Sequence, residues 1–109
     1  MSLWEERAGR NEALFREVNE RVLELVPGGE EKRGSADFVC ECSRDDCTER
    51  MPVPLAVYEA VRADPRRFLL LPGHENDLLE TVVERTAGYL IVEKEGPAGR
   101  IAERTDPRP

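Results

Sequence analysis

The sequence predicts an α+β fold: a long N-terminal helix, a short second helix and a small antiparallel or mixed sheet that closes with a C-terminal hairpin. Three observations carry this. Apolar residues recur at helical spacing near the N-terminus, short apolar and β-branched runs follow from Asp37 onward, and Pro or Gly punctuates most junctions. A chain of 109 residues fits one domain. That domain is expected over residues 1–95, with a loose tail over 96–109 that carries Pro97, Pro107 and Pro109.

Residues 2–26 read as the first helix. Ser2 and Glu5 have capping-box spacing. Glu6 with Arg10, Glu12 with Arg16 and Glu17 with Arg21 are i,i+4 pairs in the favourable order. Pro27-Gly28-Gly29 ends the helix. Trp4, Ala8, Asn11, Phe15, Val18, Val22 and Leu25 alternate steps of four and three, and Leu14 and Val26 widen the stripe. A widened stripe favours packing on the chain's own sheet. The alternative is a dimer seam in which Asn11 sets register, so a homodimer or another protein partner through this helix stays open.

The remaining elements are short. Asp37 to Cys42 reads as a strand running into a turn at Ser43-Arg44-Asp45-Asp46. Arg50-Met51-Pro52-Val53 suits an edge strand, because Pro52 cannot donate to a ladder. Pro54 opens a helix from Leu55 to about Ala63, with Leu55, Tyr58 and Val61 on one face, and Asp64-Pro65 stops it. Phe68 to Leu71 is apolar enough for a buried strand, and Pro72-Gly73 then turns the chain. Asp77 to Glu80 reads as a helical turn leading into a strand, Thr81 to Arg85, paired with Tyr89 to Lys94 across Thr86-Ala87-Gly88. A continuous helix from Asp77 to Arg85 is the alternative.

The net charge of -7 repels nucleic-acid backbones and anionic membrane surfaces, so neither is an expected partner. No apolar run approaches the ~18 residues of a membrane span, and the start, from Met1 to Arg7, has no apolar signal region. The expected location is the cytoplasm, where thiols stay reduced. Cys40, Cys42 and Cys47 cannot all pair with one another, which turns attention to metal binding.

The three cysteines form C-x-C-x4-C, and the chain's one histidine, His74, follows the Pro-Gly turn. Four such donors make a complete tetrahedral set, and thiolate with neutral imidazole suits zinc better than magnesium or calcium. One structural zinc held by Cys40, Cys42, Cys47 and His74 is therefore expected. Asp45, Asp46 and Glu75 are candidates to support the histidine ring. The bland alternative is three buried thiols and a surface histidine; a disulfide, a redox switch and a mixed-ligand iron–sulfur centre are others. No catalytic residue is singled out. Gly28-Gly29 follows a helix, whereas phosphate-cradling loops open one. The expected function is a non-catalytic zinc module in protein interaction or regulation. The alternative is a thiol- or metal-dependent sensor, or a hydrolase with an open metal position and Glu75 as base.

Residues 11–21, Phe38-Val39-Cys40-Glu41-Cys42, Asp46-Cys47, Tyr58 to Pro65, Phe68 and Pro72-Gly73-His74-Glu75 resemble a family of small actinobacterial proteins. The resemblance spans about residues 10–95 and departs at Pro52-Val53-Pro54. It implies that the Cys and His set acts as one unit, and it implies no activity.

Overall fold

A computed structural model describes residues 3–25, 34–42, 47–106 and 108, with backbone alone for 3–9 and 11. Among these residues the order is α1 (Leu3–Leu25), β1 (Ser35–Val39), β2 (Arg50–Pro54), α2 (Leu55–Arg62), β3 (Arg67–Leu70), β4 (Glu80–Arg85), β5 (Leu90–Lys94) and α3 (Gly96–Arg104). The fold is α+β, as the sequence predicts. The Ser2 cap, the Pro27-Gly28-Gly29 stop, the turn at 43–46 and the side chains of Trp4, Ala8 and Asn11 lie outside the described residues.

Two small antiparallel sheets form. β1 pairs with β2 from Ser35↔Pro54 to Val39↔Arg50. The second sheet has the order β3-β5-β4. The β4–β5 hairpin is the one predicted, and its strand form prevails over the helical alternative because Thr81 and Val82 find partners in Glu93 and Val92. The register shifts between Val82 and Glu84, leaving a bulge at Val83 on the outer strand. α2 buries Leu55, Tyr58 and Val61, the predicted face, together with Arg62. The core is continuous across both sheets, with Phe38, Val53, Leu55, Tyr58, Leu69, Leu70, Leu90 and Val92 fully buried. The Phe38 and Tyr58 rings stack at 4.4 Å between centroids.

The helix α1 packs on its own chain, but not through the predicted stripe. Its inward residues are Glu12, Arg16, Asn19 and Leu23, at steps of four, three and four. Phe15 and Val22 are half-buried, while Leu14, Val18 and Leu25 are 57%, 40% and 80% exposed. The polar residues turn inward because they satisfy backbone groups that no strand or helix reaches. Among the described residues β1 has a strand on one side only. The Asn19 amide covers the other, accepting from Val39 N–H at 2.7 Å and donating to Val39 C=O at 2.7 Å. Arg16 donates to the carbonyls of Pro65 and Ala102, each at 2.7 Å. Its guanidinium also lies 4.4 Å from the Phe68 ring centroid. The expected Glu12–Arg16 surface pair therefore gives way to separate buried partners for each residue.

The C-terminal segment is not the loose tail expected from Gly96. It forms α3, with Pro97 in the first turn, where a missing N–H costs nothing. α3 buries Ile101 and Ala102, and Gly99 lets it approach β5. A Cβ at Gly99 would meet the Arg66 guanidinium at 2.6 Å and the Lys94 carbonyl at 3.0 Å. Past the helix, Arg108 pairs with Glu59 and Glu20 at 3.0 Å, and buried Arg62 pairs with Glu20 and Asp106. These pairs fasten the chain end to α1 and α2. A proline-rich composition suggests a loose tail only when such partners are out of view.

A second buried group fixes α1 to the hairpin. Lys94 Nζ is bonded to both the Glu12 and Glu80 carboxylates, and all three are buried. Two carboxylates on one ammonium leave excess negative charge in a dry site. Burial raises the Glu12 pKa from 4.5 to about 7 against the pull of Lys94. Because the folded pKa lies above the unfolded one, this contribution to stability is fully present below about pH 4.5. It is lost as pH rises through about 7, a change on the order of 3 kcal/mol. Glu12→Gln stays neutral throughout, so the stability difference between it and the native chain should change across that window. Urea unfolding of both proteins at about pH 5 and pH 8 checks this; a difference that stays constant would refute the raised Glu12 pKa.

Candidate metal centre

The C-x-C segment follows directly from β1. Beyond the last ladder pair, Cys40 N–H donates to Glu49 C=O at 2.9 Å, which carries the β1–β2 register one step further. Alternation along extended chain sends residues i and i+2 to one side and the residue between them to the other. Cys40 and Cys42 thus present their sulfurs together, and Glu41 points into the core. Cys47 lies just before β2 in the chain.

His74 comes from the second sheet. Leu71-Pro72-Gly73-His74 closes a turn with His74 N–H donating to Leu71 C=O at 3.1 Å. Pro72 supplies the fixed φ of the second position, and Gly73, at φ +91°, takes the left-handed third. This chemistry places the His74 ring at the end of β3, facing the cysteines.

The donor atoms of Cys40, Cys42, Cys47 and His74 all lie within 4.8 Å of one another. His74 Nδ1 is 3.6 Å from both Cys40 Sγ and Cys47 Sγ. The three cysteines are buried and His74 is half-buried. The structure therefore brings all four predicted ligands together, close enough to hold a metal ion. Leu71 N–H donates to Cys40 Sγ at 3.2 Å. Such a bond stabilises a thiolate. The chain alone pushes the other way: contact with Cys42, then burial, raises the Cys40 thiol pKa, and burial foremost raises that of Cys47. Clustered thiols in a dry pocket keep their protons until a cation displaces them.

The groups around the ligands differ in part from those the sequence suggests. Asp45 and Asp46 lie outside the described residues. Glu75 has one carboxylate oxygen 3.7 Å from Arg85 and the other buried without a hydrogen-bond partner among the described residues. The carboxylate at the free nitrogen of His74 is that of Glu49, with Oε2 3.4 Å from Nε2.

Glu41 is not recognisable as a site residue in the sequence, although its place between two ligand cysteines is a signal. Its carboxylate is fully buried. It accepts from Tyr58 O–H at 2.5 Å, Asn19 Nδ2–H at 2.8 Å and Leu69 N–H at 2.9 Å. Its own N–H donates to Leu69 C=O at 2.8 Å. Burial pushes its pKa up, and the three donors pull it back. Removing it would strand three buried donors. Glu41→Ala should therefore destabilise the protein by about 3 kcal/mol or more. Glu41→Gln should cost about 1–3 kcal/mol, because its NH2 must face one of those donors. Denaturant unfolding with a chelator present removes any metal contribution; a Glu41→Ala chain within about 1 kcal/mol of native would show that the network carries little. No protein-family model, curated protein or solved structure matches the chain.

Proposed function

We propose that the four donors hold one zinc ion in a closed structural site and that the chain is a non-catalytic module acting in protein interaction or regulation. The spacing of the histidine nitrogen from the sulfurs carries the metal assignment. In a tetrahedron with Zn–S about 2.3 Å and Zn–N about 2.0–2.1 Å, the N···S edge is about 3.6 Å, and two such edges measure 3.6 Å. Thiolate and imidazole donors with no carboxylate among them favour zinc over oxygen-seeking cations. Four protein ligands leave no place for an activated water. Glu75, the base in the hydrolase reading, is engaged by Arg85.

The interaction role draws support from α1. Leu14, Val18 and Leu25 lie exposed on its outer side, a surface on which a protein partner or a second copy would gain apolar contact. Among the described residues no helix is long and apolar enough to cross a membrane.

Native mass spectrometry of the purified chain should find about one zinc per chain, lost in Cys42→Ser. His74→Ala should weaken zinc binding and lower the melting temperature together, and His74→Cys should largely restore both. Zinc should leave as pH falls and protons compete for the ligands. A metal-free folded chain with one fast-alkylating cysteine would favour the sensor reading. A His74→Ala protein that keeps its zinc and its melting temperature would open the fourth position.

A further inference from the structure

We infer that Glu49 is a positioning residue of the metal site, its side chain aiming the Nδ1 lone pair of His74 at the metal while its backbone fixes Cys40. The inference rests on the zinc reading above and assigns a role to a residue outside the ligand set.

Glu49 touches two of the four ligands through two different groups. Its carbonyl accepts from Cys40 N–H at 2.9 Å. Its Oε2 lies 3.4 Å from His74 Nε2. The first contact belongs to the backbone and survives substitution. The second belongs to the side chain alone.

The ring chemistry gives that side-chain contact its meaning. Nδ1 is the nitrogen turned toward Cys40 and Cys47, at 3.6 Å from each sulfur. A neutral imidazole carries one N–H, so a lone pair on Nδ1 requires the proton on Nε2. A carboxylate only accepts, and beside Nε2 it favours that N–H, holds the ring plane and makes Nδ1 a stronger donor to a cation. The Glu49 side chain is 64% exposed, so it adds little to the core. Substituting it separates the aim of the ligand from the stability of the fold.

The test measures zinc affinity by competition with a chromophoric chelator for the native chain, Glu49→Ala and Glu49→Gln. Glu49→Ala should bind zinc about 10- to 100-fold more weakly, with the melting temperature of its metal-free form unchanged. Glu49→Gln should retain most of the affinity, because its amide oxygen still accepts from Nε2–H. His74 is the chain's one histidine, so its ring nitrogens can be followed by NMR without ambiguity. In the zinc-loaded native chain the Nε2 proton should exchange slowly with water, and in zinc-loaded Glu49→Ala it should exchange faster. A Glu49→Ala chain that binds zinc as tightly as the native one overturns the role of Glu49 and leaves the zinc site standing. A loss of affinity shared in full by Glu49→Gln, or unchanged Nε2 proton exchange, overturns it also. A native chain that takes up no zinc overturns both readings.

Discussion

The Glu41 carboxylate receives hydrogen bonds from α1, α2 and β3 at once, and the backbone of the same residue bonds β3 directly. The two sheets share no ladder. Much of what ties them together therefore runs through this residue and the side chains packed around it. A buried carboxylate loses several kcal/mol of hydration and must recover it from its partners. Here the partners are a hydroxyl, an amide and a backbone N–H, each from a different element. The arrangement is satisfied only when all of those elements are docked, which links local geometry at Glu41 to the whole tertiary structure.

The same logic explains why α1 turns a polar face inward. Apolar burial alone would seat Val18 and Leu25 on the core, and it does not. Asn19 completes the open edge of β1, Arg16 takes two carbonyls, and Glu12 meets Lys94. An apolar stripe in that place would leave those backbone groups buried and unpaired, at about 1–3 kcal/mol each. The apolar residues are displaced toward the side, where Phe15 and Val22 are half-buried and Leu14, Val18 and Leu25 face outward. The outward stripe that supports a partner surface is thus a consequence of how the helix satisfies the fold beneath it.

This contrast marks what a sequence makes legible. The candidate metal ligands stand out because they are the chain's three cysteines and one histidine, and because local rules place them. Strand alternation converges Cys40 with Cys42, and a Pro-Gly turn aims His74. The hairpin and α2 are legible for the same reason, since β-branched runs and a three-residue apolar step are local signals. Asn19, Arg16 and Glu49 carry no such signal, and Glu41 has only its place between two cysteines. Each looks like an ordinary surface polar residue until the backbone group it satisfies arrives from a distant segment. The α3 helix is hard to see behind Pro97, because a proline in a helix's first turn and one that breaks a helix read alike in composition. The ion pairs of Arg62 and Arg108 that hold the chain end come from α1 and α2.

Cys40, Glu41 and Cys42 bring these strands of the argument to one place. On one side of this short stretch two sulfurs face the histidine borne by β3; on the other, a carboxylate bonds the backbone of β3 itself. A cation held in the sulfur pocket would therefore join the same two sheets that the hydrogen bonds of Glu41 join, through consecutive residues. The loads differ in kind. Thiols crowded together resist ionisation until a cation arrives, so the sulfur side gains its strength only with metal bound. The Glu41 side is complete from the chain's own atoms. A site built on such a frame has its ligands largely arranged before binding, because Glu41 and the Leu71-to-His74 turn have already set where three of the four donors stand. Less ordering is then left for the ion to impose, and more of its binding free energy remains as affinity and as added stability of the folded state.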